Sequence, residues 1–314
     1  NEGRKDWSLS DGTEVTVSAA FEPETDSEGS LYVLDSEGRR VAMMPPGGIY
    51  FDSLTRGEGA AHVDPDVWEI PELPEDELRW LEEQARFFRA ETDYAVIGEM
   101  PQVELFFGFG EGGFDDWMIT LMTEENYVRE LYEKAIEGMI KNFDLYCQAV
   151  GERMDIVKFN DDFGMQTGEF LPPEMFRSLI LPYYRKYIDH VKKRNEKYKI
   201  LQHSCGSIFN VLGDMINIGV EAINPVQTTA ANMDPRSLKE TYGDRVCFWG
   251  GGVETQGVLP FGTPQEVAAQ VEERLEIFKP GGGFVFNTIH NIQQNTPPEN
   301  ILAAFDTAYE GGGY

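Results

Sequence analysis

Thiol and imidazole groups are scarce in this chain, which holds three cysteines and four histidines in 314 residues. Cys147, Cys205 and Cys247 are too few for a disulfide framework, which excludes a small cross-linked scaffold and fits a reducing, cytoplasmic setting. Basic residues are short as well. With 26 Lys and Arg against 55 Asp and Glu, the formal net charge is −29. A field of that sign repels phosphate backbones and anionic bilayers, so neither nucleic acid nor a membrane surface is an expected partner. No run reaches the roughly 18 apolar residues of a spanning helix, and the polar opening residues show no signal peptide. A dinucleotide fingerprint is also absent. The glycine run Gly250-Gly251-Gly252 lacks a following Lys-Ser/Thr and reads as tight loop packing, not a phosphate cradle.

What is there is enough apolar material for a large core: 41% of residues are hydrophobic and 12% aromatic. Residues 1–75 are acidic, rich in Gly and Pro, and carry one probable hairpin. In it Leu31–Leu34 and Val41–Met44 flank the turn Asp35-Ser36-Glu37-Gly38-Arg39. From Glu75 onward apolar strands alternate with amphipathic stretches. The strands read at Tyr94–Gly98, Asp155–Asn160, Lys199–Gln202, Glu221–Asn224, Val246–Trp249 and Gly283–Ile289. The helical patterns lie at 124–150, 173–194, 207–218, 235–242, 264–278 and 298–309. Thr263-Pro264-Gln265-Glu266 and Thr296-Pro297-Pro298-Glu299 have the spacing of a capping box. This alternation predicts parallel strands with crossover helices. The expected fold is α/β: a (β/α)8 TIM-type barrel over 76–314, with 1–75 as an acidic N-terminal extension containing a β-hairpin. Gly311-Gly312-Gly313 reads as a frayed end.

In a parallel barrel the chemistry lies where strands end and loops begin. At those positions the sequence places Asn160-Asp161-Asp162-Phe163-Gly164-Met165-Gln166, His203-Ser204-Cys205-Gly206, Asn224-Pro225-Val226-Gln227, Glu254-Thr255-Gln256 and His290-Asn291-Ile292. His-x-Cys at the end of an apolar strand points an imidazole and a thiol into one crevice, which suits zinc. His290 stands in the equivalent place on a later strand, and three N/S ligands with one open position describe a catalytic zinc. Each residue also has a plainer reading. A buried Cys with a neighbouring His is commonly core, and paired aspartates before Gly commonly cap a loop. Cys147 and Cys247 fall within helical and strand patterns and read as small core residues. His62 and His190 have no partner in sequence and read as surface or capping groups.

From about Asp155 to the end, these motifs together with Gly219-Val220-Glu221-Ala222-Ile223-Asn224, Phe248-Trp249-Gly250-Gly251-Gly252 and His290–Asn300 resemble the uroporphyrinogen decarboxylase superfamily. The likeness is nearest to its corrinoid-dependent methyltransferase branch. It implies a barrel with its site at the strand carboxyl ends. It also implies zinc on His203 and Cys205, with His290 in the position of that branch's later Cys. In the decarboxylase branch a His-Gly-Ile motif holds the same late position, which His290-Asn291-Ile292 matches in part. The arginine-lined pocket implied for a porphyrinogen is not found here.

The expected function is therefore zinc-dependent transfer of a methyl group between a small molecule of methoxy, methylamine or thiol type and the corrinoid of a separate protein. Asp161 and Asp162 are the expected catalytic carboxylates. Asn160, Gln166, Gln227, Glu254 and Gln256 are expected to line the substrate space, and His203, Cys205 and His290 to hold Zn2+. The alternatives are a metal-independent decarboxylase-like lyase and a non-catalytic binding barrel.

Overall fold

The computed structural model describes residues 4–8, 12, 14–19, 21–35, 37–48, 51–53, 63–100, 105–106 and 114–313. His62 lies outside the described residues. The chain divides into two contact units, 1–62 with 110–119 and 63–109 with 120–314.

In the first unit, Arg4–Ser8 pairs antiparallel with Glu14–Ser18. A second antiparallel sheet runs Glu24–Thr25, Leu31–Leu34, Arg40–Met44, Asp52–Ser53. The expected hairpin is the middle pair of that four-stranded sheet. Its turn is closed by Asp35, whose Oδ1 accepts from the Glu37 and Arg39 amides at 2.8 and 2.9 Å. The boundary falls earlier than residue 75 because Asn142 draws the linker into the second unit. Its side chain accepts from Leu73 N at 3.0 Å and donates to Pro71 O at 2.9 Å.

The second unit holds six parallel strands: β1 (Ile97–Glu99), β2 (Ile156–Asn160), β3 (Lys199–His203), β4 (Ala222–Asn224), β5 (Cys247–Trp249) and β6 (Phe284–Val285), adjacent in that order. Helix α1 (Glu75–Glu91) precedes β1, and the main helices that follow are α2 (Glu125–Val150), α3 (Leu181–Arg194), α4 (Phe209–Asn217), α5 (Pro235–Tyr242) and α6 (Pro264–Phe278), with α7 (Pro298–Gly311) last. Six strands of the expected barrel are thus present; closure by two more is not seen among the described residues. Alternation divides each strand between two faces. Val157 and Phe159 of β2 are fully buried on one side, while Lys158 and Asn160 turn to the other. The buried side meets the helices: Phe159 stacks on Tyr184 of α3 at 5.8 Å. Helix α2 buries Val128, Leu131, Tyr132, Ala135, Ile136 and Met139, the one-face spacing of an amphipathic helix.

The differences from expectation have local causes. Residues 94–96 lie outside the regular strand, although Val96 O accepts from Asp155 N at 2.9 Å, and β1 begins at Ile97, where its register against Ile156 starts. The pattern at 283–289 is a regular strand only over Phe284–Val285. Beyond that its carbonyls are taken by the glycine run, Gly250 N to Val285 O at 3.0 Å and Gly252 N to Asn287 O at 2.9 Å. A Cβ on Gly252 would meet the Phe286 ring at 2.4 Å, so this run is close packing, as read from the sequence. The stretch 173–194 is split by a π-helical segment, Phe176–Ile180, next to Pro182 at the start of α3, where a missing N–H interrupts the ladder. Thr263 forms its capping box with Glu266. Thr296 does not, because Pro297 is the N-cap of α7 and Pro298 its first residue, which leaves the hydroxyl one position too early. Helix α7 continues to Gly311, whose carbonyl accepts from Lys279 Nζ at 2.8 Å, so the frayed end is shorter than expected. No helix of the described residues is long and apolar enough to cross a membrane.

Substituting Thr263→Ala should lower unfolding stability by about 1 kcal/mol, whereas Thr296→Ala should leave it unchanged. Urea midpoints of the two variants check this, and equal losses would contradict the cap assignment.

Candidate metal centre

Parallel register sets Asn160, His203 and Asn224 side by side at the carboxyl ends of β2, β3 and β4. His203 Nδ1 lies 2.8 Å from Asn224 Oδ1. The Asn224 amide is oriented by its own Nδ2, which donates to Trp249 O at 3.0 Å. Its oxygen therefore faces the ring and accepts the Nδ1 proton, leaving the Nε2 lone pair free. That lone pair faces Cys205 Sγ at 3.6 Å. An imidazole held through its other nitrogen is the arrangement by which proteins orient metal-ligating histidines.

The loop carrying Cys205 is held by backbone contacts. Gly206 has φ of 80°, and a Cβ there would meet the Gly164 carbonyl at 2.2 Å. The approach is mutual, since a Cβ on Gly164 would meet Ser207 O at 2.2 Å. Only glycine satisfies both positions. Gly206 N donates to Gln227 Oε1 at 2.7 Å, Gln227 Nε2 donates to Gln166 Oε1 at 2.9 Å, and Gln166 Nε2 donates to Thr229 O. Both glutamines brace the loop from behind and neither lines the cavity.

The paired aspartates separate. Asp161 is buried, and its Oδ2 accepts from Tyr184 Oη and from Phe106 N, both at 2.7 Å. Asp162 is half-buried and accepts from Cys205 N through Oδ1 at 2.6 Å. Asp162, His203 and Cys205 each present a ligand atom, all within 4.8 Å of one another. Their chemistry fits zinc. Zinc bond lengths of about 2.3 Å to sulfur and 2.0–2.1 Å to nitrogen, at a tetrahedral angle, span about 3.5 Å between the ligands, close to the observed 3.6 Å. Burial lowers the His203 pKa, so the ring is neutral and metal-competent near pH 7. Burial, with Asp162 second, pushes the Cys205 thiol up to about 12. Without a cation the thiol keeps its proton; coordination would reverse that preference.

Asp162 and His203 line a cavity of about 800 Å³, and Cys205 adjoins it through its contact with His203. Its wall includes Lys158, Asn160, Asp162, His290, Asn291 and Phe305. Lys158 Nζ is paired with Glu99 at 2.7 Å, and Asn160 Nδ2 donates to the same carboxylate at 3.1 Å. Lys158, then Asn160, hold Glu99 below the usual carboxylate range. His290 is exposed on the wall and lies outside the three-residue cluster. Glu254 does not reach the cavity; its buried carboxylate accepts from the Gln256, Gly257 and Val258 amides, and Gln256 is likewise off the wall. Cys147 is buried in α2, as expected of a core residue, whereas Cys247 in β5 is half-buried. His190 does have a partner, Asp144 Oδ1, at 2.9 Å. Asn224 as the orienting group and the Lys158–Glu99 pair were not singled out by sequence, although the shared strand-end register was their signal.

Comparison with known proteins bears on this arrangement. The Uroporphyrinogen decarboxylase (URO-D) family profile matches residues 74–311. A uroporphyrinogen decarboxylase of Azoarcus sp. (strain BH72) is 26% identical over 283 residues, covering 84% of this chain and 73% of that protein. One from Aromatoleum aromaticum (strain DSM 19018 / LMG 30748 / EbN1) is 25% identical over 284 residues, with the same shares. Among solved structures, a methyltransferase from Methanosarcina mazei is similar in fold, with TM-score 0.60 and 18% identity over 84% of this chain and 72% of that one.

Two outcomes follow from this geometry. Gly206→Ala should destabilise the fold by about 2 kcal/mol or more, read from denaturant unfolding; a neutral substitution would refute the close approach. In metal-free protein, Cys205 thiolate absorbance should grow only as pH nears 12, with slow alkylation at pH 8.

Proposed function

The chain belongs to the uroporphyrinogen decarboxylase (URO-D) family, and on that premise we propose that it is a zinc-dependent methyltransferase. It moves a methyl group between a small molecule of methoxy, methylamine or thiol type and the corrinoid of a separate protein. The closed (β/α)8 barrel is part of the same proposal, supported by six parallel strands with crossover helices. The observation that carries it is the His203–Cys205 pair, 3.6 Å apart, with His203 on the wall of a cavity of about 800 Å³.

His203 and Cys205 would hold the metal, Asn224 keeps the imidazole in the ligating tautomer, and Asp162 and His290 both face the same space. Bound zinc supplies a Lewis acid that lowers the pKa of a thiol or polarises a heteroatom bearing a methyl group. Asn160 and Asn291 offer neutral hydrogen bonds for orienting the small molecule, and the open mouth leaves access for the partner's corrinoid.

Electrostatics speak against porphyrinogen decarboxylation. Uroporphyrinogen carries eight carboxylates. Among the described residues lining the cavity Lys158 is the one Lys or Arg, and it is paired with Glu99. The Asp162 carboxylate lies on the same wall.

Purified protein should contain about one zinc per chain by elemental mass spectrometry. Cys205→Ser should lose the metal and, with it, transfer between methyl-corrinoid and small molecule followed by visible absorbance. Full transfer in that variant would end the proposal. Porphyrinogen turnover indifferent to chelator would move the chain to the lyase reading, and ligand binding without any turnover to the non-catalytic one.

A further inference from the structure

Resting on the zinc reading above, we infer that Asp162, and not His290, is the third protein ligand of the metal. The two candidates differ in distance along the sheet. Asp162 follows β2, the immediate neighbour of β3, so one interstrand step of about 4.8 Å separates its strand end from that of His203. His290 follows β6, three strands from β3, and shares the cavity wall with His203 without joining its cluster. The local contacts agree. Asp162 Oδ1 accepts from Cys205 N at 2.6 Å, which ties the carboxylate to the residue that carries the thiol. Asp162, His203 and Cys205 offer ligand atoms within 4.8 Å of one another, and His290 does not join them.

Asp161 cannot take the same place. Its side chain points the opposite way along the extended segment and is held by Tyr184 Oη and Phe106 N. The bland role of an aspartate before a glycine, capping its own loop, does not describe Asp162 either. Its acceptor bond goes to Cys205, 43 positions away.

The assignment changes the charge of the centre. A divalent ion facing one thiolate, one carboxylate and one neutral imidazole has no net charge. With two imidazoles and one thiolate it would keep +1. His290 is then left on the wall facing the bound small molecule, as a positioning group and not a ligand.

The test is zinc affinity of wild type, Asp162→Asn and His290→Ala, each as the full chain, by competition with a chromophoric chelator. Asp162→Asn keeps an acceptor for Cys205 N, so loss of metal in it reads coordination and not loop disorder. The expected result is at least about tenfold weaker zinc in Asp162→Asn and unchanged affinity in His290→Ala. Weakened binding in His290→Ala, or unchanged binding in Asp162→Asn, overturns the assignment while leaving the zinc centre standing. A wild-type chain that takes up no zinc overturns both. Thermal unfolding in chelator checks that the variants fold alike. Should Asp162→Asn not fold, cobalt(II) absorption bands of wild type and His290→Ala decide: identical bands support the assignment, altered bands overturn it.

Discussion

The centre depends on one side chain, Asn224. Its oxygen holds the His203 ring and its nitrogen holds the end of β5 at Trp249, so a single amide ties three neighbouring strand ends together. Its backbone adds a further bond, accepting from Ser204 N at 2.8 Å. Because both halves of the amide are committed, the imidazole cannot flip without losing a buried hydrogen bond, and Nε2 stays aimed at Cys205. A metal ligand set needs this kind of support before the ion arrives, since precision comes from the groups behind the ligands.

The second requirement is the loop that returns Cys205 to that nitrogen. Gly164 and Gly206 touch backbone to backbone, with Gln227 and Gln166 tightening the contact from outside. The thiol is therefore placed by main chain and not by a mobile side-chain contact. Beside His203 the described cavity wall carries amides, histidines and carboxylates, and its Lys158 is paired with Glu99. Such a wall favours a neutral or metal-tethered small molecule over a polyanion.

Much of the frame was legible in the residues. Strands showed as short apolar runs, and helices as amphipathic stretches with proline and threonine starts, so β2 to β5, α2 and α4 to α7 fall within a few residues of their expected places, while α3 covers the later part of 173–194. His203 and Cys205 were legible because two scarce residue types sit one apart at a strand end. The roles of the glutamines were not. Gln166 and Gln227 are polar strand-end residues like any substrate ligand, and only the fold shows their side chains turned to Gly206. Glu254 looked equally available, yet three backbone amides consume its carboxylate. The division of labour between Asp161 and Asp162 depends on strand register, which a sequence of two adjacent aspartates does not carry.

The most direct test of the account is zinc K-edge X-ray absorption on the metal-loaded protein. One sulfur at about 2.3 Å with the remaining ligands nitrogen or oxygen near 2.0–2.1 Å is the predicted first shell, since Cys205 is the single thiol among the residues that meet there. A shell with no sulfur, or with two, would contradict the centre described.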